Sequence, residues 1–285
     1  MEVLQYDFMQ RALIAGLITA IVCPLIGIFV VVRRQAMIGD GLGHIAFAGV
    51  MGGYVLGVYP TAVAALVTML GAGAIEFVRH RHARHADTAL AIFFYTGLAL
   101  AVIFSSMARV PGNGIIGVLF GSILTVTSSD IWLIAGSAII VLAVMHYYFG
   151  RLFLMSFDED VARVAGINTA LVGTIFSMMA ALVVVVGMRV VGILLVSSLM
   201  IIPVAAAHLM RRGFKATLAW SVVFSIISVL GGLILSFQLD IAPGGTIVIT
   251  AVAIYLILLS GLGNAISKLL KTARAAGRSA DKKNY

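Results

Sequence analysis

Apolar runs of about twenty residues recur along this chain, at 12–32, 37–57, 61–78, 88–107, 130–149, 168–187, 190–210, 216–237 and 246–266. A helix of about 20 residues is roughly 30 Å long, the thickness of a bilayer's hydrocarbon core. Only helices and closed barrels satisfy their backbone polar groups inside lipid, and the alternating ten-residue segments of a barrel are not visible. Only 11% of residues are charged, against roughly 25% in soluble domains, which excludes an ordinary soluble protein. The expected fold is therefore an all-α polytopic membrane protein with eight to nine transmembrane helices. Eight results if the segment 190–207 is broken or re-entrant. The stretch 115–129, apolar at first and then rich in Ser and Thr, is too short to span and reads as a short re-entrant or interfacial helix. One membrane domain occupies 1–270, followed by a basic tail at 271–285. Met1–Gln10 has no basic region and no small-residue cleavage site, so the first apolar run is expected to remain as a helix.

Basic residues set the orientation. With nine spans, one side receives Arg33, Arg34, Arg79, Arg81, Arg84, Arg151, Arg163, Arg211, Arg212, Lys215 and the six Lys and Arg from Lys268 to Lys283. The other side receives only Arg11, Arg109 and Arg189. Cytoplasmic loops carry the excess of Lys and Arg, so the C-terminus is expected in the cytoplasm and the N-terminus outside. The net charge of +8 thus reports topology and requires no nucleic-acid partner. The single cysteine, Cys23, lies in the first apolar run and reads as a small buried hydrophobe.

The second span carries two polar residues, Asp40 and His44, four apart and therefore on one helix face. A charge near the bilayer centre costs at least about 2.5–3.5 kcal/mol, so an uncompensated Asp40 is not expected. A carboxylate and an imidazole at this spacing suit one divalent cation such as Zn²⁺ or Mn²⁺. The plainer alternative is that Asp40 pairs with His44 or with a neighbouring helix. Two ligands do not complete a tetrahedral site; a two-fold dimer with this helix beside its axis would supply four. Met37, Phe47, Met51 and Tyr54 share the same face, and the last three are expected to line an outward path. Gly39/Gly43, Gly49/Gly53 and Gly53/Gly57, each four apart, predict a central span closely approached by its neighbours.

The loop 150–168 holds the chain's only acidic cluster. Ser156 is expected to cap a short helix whose first turn contains Asp158, Glu159 and Asp160, favourable at the positive end of the helix dipole. Gly166 ends that helix. Phe157, Asp158, Glu159, Asp160, Ala162 and Gly166 together form an element suited either to docking a soluble partner or to acting as a solvated connector.

His80, His82 and His85 belong to a basic loop and His146 and His208 to helix ends, so none is a favoured ligand. Glu76 is expected to snorkel to water or pair with Arg79. Asp130 and Asp240 face outward, either as helix caps or towards an external protein. No phosphate-binding Gly-Lys loop occurs, so any ATP-driven step needs a separate chain.

These features, in this order, resemble the membrane permease subunits of the ATP-binding-cassette importers for zinc, manganese and iron. The resemblance runs from Tyr6-Asp7-Phe8-Met9-Gln10-Arg11-Ala12 to about Leu270. It is carried by Arg33-Arg34-Gln35, by Gly39-Asp40-Gly41-Leu42-Gly43-His44, by Leu119-Phe120-Gly121-Ser122-Ile123, by Phe157-Asp158-Glu159-Asp160 with Gly166, and by Leu194 to Pro203. It implies that Asp40 and His44 hold the transported metal and that the acidic loop is the cytoplasmic coupling helix fitting a cleft of the ATPase. It further implies a homodimer with two ATPase subunits and an external metal-binding protein, in a prokaryotic plasma membrane. No cofactor is expected on this chain. Where the family commonly has Ser before the His, this chain has Gly43, which would either loosen the local helix or remove a hydrogen bond to the ligand, leaving the Asp/His pair intact.

Three functions compete. An ATP-driven metal importer leads. A proton-coupled secondary transporter would be favoured by an inverted repeat, and none is evident. An intramembrane metalloenzyme would need three protein ligands and an activated water in one chain. A tetrahedral set of two Asp and two His favours zinc, and the opening segment and acidic loop resemble zinc-type members; manganese, then iron, follow.

Overall fold

The computed structural model describes residues 7–81, 86–108, 112–121, 127–188 and 192–261. All regular structure among them is helical, in the order α1 (Asp7–Val32), α2 (Ile38–Leu56), α3 (Pro60–Arg81), α4 (Ala86–Ala108), α5 (Gly112–Phe120), α6 (Ser128–Phe157), α7 (Glu159–Val164), α8 (Thr169–Gly187), α9 (Ile193–His208), α10 (Phe214–Leu239) and α11 (Pro243–Leu259). Six of these, α1, α3, α4, α6, α8 and α10, are long and apolar enough to cross a membrane, while α9 and α11 are shorter apolar helices. The helix bearing Asp40 and His44, α2, is not among the six, because two polar side chains and many glycines dilute its apolar content. The basic tail, Arg109, Arg189, Ser122, Ile123, His82 and His85 lie outside the described residues.

Local chemistry sets the helix ends. Thr127 caps α6 in a reciprocal box, its hydroxyl accepting from the Asp130 N–H while the Asp130 carboxylate accepts from the Thr127 N–H, which satisfies two orphan donors at once. Asn168 caps α8 through its side-chain oxygen. The left-handed turn at Gly57 (φ 66°) closes α2, a conformation that carries no Cβ penalty in glycine.

Helices α1, α2, α8 and α9 supply much of the interior. Phe29 and Ile26 of α1, Leu42 and Met51 of α2, Phe176 of α8 and Leu199 and Met200 of α9 are among the fully buried side chains. Outward faces are apolar too: Leu66, Leu70, Tyr95, Trp132 and Ile139 are exposed, as expected of side chains that face lipid rather than water. At 30 residues, α6 measures about 45 Å, longer than the hydrocarbon core. The sequence places its end near 149; the structure extends it to Phe157.

That extension overturns the expected cap at Ser156. This residue lies inside α6, and its hydroxyl donates to the Leu152 carbonyl at 2.6 Å, the usual recourse of a serine within a helix. Asp158 caps α7 instead, accepting from the N–H groups of Asp160 and Val161, both at 3.0 Å. The other end is as expected. Gly166 sits at φ 80°, and the paired bonds Gly166 N–H to Arg163 O and Ile167 N–H to Ala162 O make a Schellman turn.

Close packing around α2 depends on missing side chains. A Cβ on Gly97 of α4 would lie 2.8 Å from the backbone carbon of His44, and one on Gly49 of α2 would lie 2.5 Å from the Cα of Ala64 in α3. Without a side chain between them, two backbones approach closely enough for dispersion to hold them. Gly97→Ala is expected to push α4 away from α2 at a cost of about 1–3 kcal/mol. The check is the apparent melting temperature of the detergent-purified protein, which should fall, whereas Gly136→Ala, where a Cβ meets nothing within 4 Å, should leave it unchanged.

Candidate metal site

Asp40 stands in the first turn of α2, where a negative charge meets the positive end of the helix dipole. It does not pair with His44. Its partner comes from the far end of the sequence: the Ser197 hydroxyl of α9 donates to Asp40 Oδ1 at 2.5 Å. That approach requires a glycine, since a Cβ on Gly39 would fall 2.8 Å from the Ser197 Cβ. A hydroxyl donating to one carboxylate oxygen fixes the orientation of the group and leaves the second oxygen free for a cation.

His44 lies one turn deeper and is buried. Phe94 of α4 meets its ring edge-to-face, with centroids 4.3 Å apart. Its Nδ1 has no hydrogen-bond partner among the described residues. A buried polar nitrogen without a partner is costly and in native proteins calls for an explanation. A metal ion would account for it, because a neutral imidazole nitrogen can serve as a ligand. No third His, Cys, Asp or Glu joins the pair among the described residues.

The other residues of the expected face divide. Phe47 and Met51 are buried within the chain, while Tyr54 and Met37 are exposed. Met37 precedes the helix as its N-terminal flanking residue. At Gly43, a side chain would press on Ile193 Cγ2 at 3.0 Å, so the departure from Ser accompanies tight seating of α9 against α2.

A second polar cluster lies near the C-terminal end of α3. Glu76 is 1% exposed. It accepts from Arg79 through both oxygens and from the Ser177 hydroxyl of α8 at 3.1 Å, and Arg33 approaches to 3.7 Å. Of the two expectations for Glu76, pairing is observed and snorkelling is not. Asp130 serves the α6 cap, and Asp240 ends α10 in a left-handed conformation (φ 53°). His80, His146 and His208 are exposed. The acidic element falls at α7: Phe157, Asp158, Glu159 and Asp160 lie around its start, Ala162 is buried and Gly166 closes it.

Six helices long and apolar enough to cross a bilayer, with apolar faces exposed, define a multi-pass membrane protein. Residues 5–261 match the ABC 3 transport family, and the chain belongs to that family. As such it is the membrane subunit of an ATP-binding-cassette importer, with ATP hydrolysis in a separate ATPase subunit. It is 32% identical over 257 residues to a probable metal transport system membrane protein of Treponema pallidum, covering 90% of this chain and 96% of that one. It is 31% identical over 252 residues to the high-affinity zinc uptake system membrane protein ZnuB of Haemophilus influenzae, covering 88% and 97%. It is 30% identical over 254 residues to the manganese transport system membrane protein MntC of Halalkalibacterium halodurans, covering 89% and 87%. The structure of PsaBC from Streptococcus pneumoniae in complex with Fab superposes with a TM-score of 0.81 at 29% identity, over 90% of this chain and 93% of that one.

Ser197 is the site residue that sequence reasoning missed. The run from Leu194 to Pro203 stood out, yet nothing local shows which of its side chains reaches Asp40. Ser197→Ala is expected to weaken metal binding by about 10- to 100-fold, the usual effect of removing a group that orients a ligand. Calorimetric titration of purified permease with zinc checks this; unchanged affinity would separate Ser197 from the site.

Proposed function

We propose that this chain moves a divalent metal ion, zinc first and manganese second, into the cytoplasm through Asp40 and His44. The observation that carries this reading is the Nδ1 of buried His44, without a partner among the described residues, one turn from a carboxylate whose Oδ1 alone accepts a hydrogen bond among them. Relatives named for zinc and for manganese support a divalent cation. An imidazole nitrogen with carboxylate oxygen suits either, and a four-coordinate preference favours zinc.

Asp40 and His44 supply the first two ligands. Enclosure of His44 by Phe94 favours completion of the shell within the same chain, by water, over sharing across a two-fold axis. Phe47 and Met51 would form a closed stretch on the outer side, with Tyr54 at its mouth. In a dimer, two copies of α7 would present exposed Val161 and Val164 to two ATPase subunits, and an external metal-binding protein would deliver the ion. The eight- to nine-span count, the re-entrant segment and a cytoplasmic C-terminus belong to the same reading, in a prokaryotic plasma membrane.

Transport works by differential binding: the outward-open state must hold the metal better than the inward-open state, and ATP supplies the difference. A site of only two strong protein ligands suits this role, because an ion held by four would leave slowly. Radioactive zinc uptake by cells dependent on this permease tests the reading. Asp40→Ala and His44→Ala are each expected to abolish uptake without loss of membrane-inserted protein, and excess manganese to compete less well than unlabelled zinc. Uptake retained in both variants would remove the site. Stronger competition by manganese would change only the cargo.

A further inference from the structure

An aromatic groove opens on the surface where the last turns of α6 meet the start of α10. Phe149, Gly150 and Phe153 line one side and Phe214 and Lys215 the other, around a space of about 540 Å³. The rings make a continuous wall. Phe153 meets Phe214 edge-on with centroids 5.0 Å apart, Phe149 meets Phe214 at 6.1 Å, and Phe149 and Phe153 stack at 6.3 Å. No side chain occupies the space from Gly150 or Gly213, where a Cβ would meet nothing within 4 Å.

Charge of one sign surrounds this apolar wall. Arg211, Arg212 and Lys215 are exposed, and no carboxylate pairs with any of them among the described residues. Arg151, beside Gly150, lies over the rings of Tyr147 and Tyr148 at 5.6 and 5.3 Å. The first turn of α10 holds no acidic residue, and its flanking residue Gly213 provides no capping side chain. The positive end of that helix dipole therefore adds to Lys215 instead of being neutralised within the chain. A ligand matched to the whole groove is apolar along one part and anionic at the other.

Helix α6 gives the depth of the groove in the bilayer. Trp132 near its start and Tyr147 towards its other end are both exposed, the placement of aromatic side chains at the two membrane interfaces. Phe149 and Phe153 stand about 32 and 38 Å along the helix from Ser128, at 1.5 Å per residue. A hydrocarbon core is about 30 Å thick, so the groove sits where acyl chains give way to headgroups. Basic pockets between helices at this level recognise anionic headgroups.

We propose that this groove binds one anionic phospholipid, with its glycerol and upper acyl chain against Phe149, Phe153 and Phe214 and its phosphate on Lys215. A zwitterionic lipid fits the apolar wall equally well, but its ammonium group meets Arg211 and Arg212 as a like charge, so the site prefers the anion. Phe157, the last residue of α6, lies against Phe214 with centroids 6.2 Å apart, and the bound lipid thus borders the acidic element at α7. The site holds whichever metal the permease carries.

The test uses proteoliposomes of the complete complex in mixed phosphatidylcholine and phosphatidylglycerol, with bromine on one lipid or the other, and reads the quenching of tryptophan fluorescence. The chain has two tryptophans. Trp220 lies one turn beyond Ala216, which lines the groove, on the same face of α10. With Trp132→Phe in place, its share of the signal is the part lost in Trp220→Phe. Phosphatidylglycerol is expected to be bound about fivefold more tightly than phosphatidylcholine at this position, the effect of one basic residue at a membrane surface. Lys215→Gln, which removes the charge, and Gly150→Leu, which fills the groove, should each bring the ratio close to one. Arg81→Gln removes an equal charge on α3 and should leave the ratio unchanged. No headgroup preference, a ratio unaffected by Lys215→Gln or Gly150→Leu, or an equal fall in Arg81→Gln would overturn the site. Trp220 quenched by neither lipid would mean that protein covers the groove, and would overturn it equally.

Discussion

A carboxylate placed in a helix that lies among transmembrane segments constrains everything around it. Asp40 must be compensated within the protein, since lipid offers nothing. The compensation observed is a hydroxyl from α9, a helix more than 150 residues away in the chain. For that hydroxyl to reach Asp40, α9 must come within touching distance of α2. Gly39 and the small Gly43 permit this approach, and on another face Gly97 lets α4 close over His44. The wrapped position of α2 thus follows from one polar pair and the absence of a few Cβ atoms.

The two polar clusters differ in the kind of stability they provide. Around Asp40 and His44, the imidazole Nδ1 is left without a partner among the described residues, as would suit the proposed role of taking up an ion and then releasing it. Around Glu76, three donors satisfy one carboxylate and hold α3 to α8. Removing one partner from such a buried cluster typically costs about 3–5 kcal/mol, so of the two clusters this is the firmer one. Between them runs the elbow Arg33–Gln35, joined to the Glu76 cluster by side chains and to Asp40, the proposed metal ligand, by four residues of chain.

What was legible from sequence followed from short-range rules. The i, i+4 spacing of Asp40 and His44, the glycine pattern of α2, the pairing of Glu76 with Arg79 three residues on and the closure of α7 by Gly166 all depend on neighbours within a turn or two. The misplaced cap at Ser156 shows where such rules fail. Apolar periodicity alone does not tell how far α6 extends past the membrane, and with two more turns added Ser156 falls inside a helix and Asp158 takes the cap. Ser197 on Asp40, Ser177 on Glu76 and Arg33 on Phe176 are encounters between distant segments. None has a local signature, since a serine in an apolar helix reads the same whether it bonds its own backbone, as Ser228 does, or crosses to another helix.

Zinc K-edge X-ray absorption of the metal-loaded permease, wild type beside His44→Ala, tests the account most directly. The predicted result is an imidazole nitrogen at about 2.0–2.1 Å among oxygen ligands, lost on substitution of His44. A first shell containing sulfur, or one unchanged by His44→Ala, would place the metal elsewhere and contradict the assignment of Asp40 and His44.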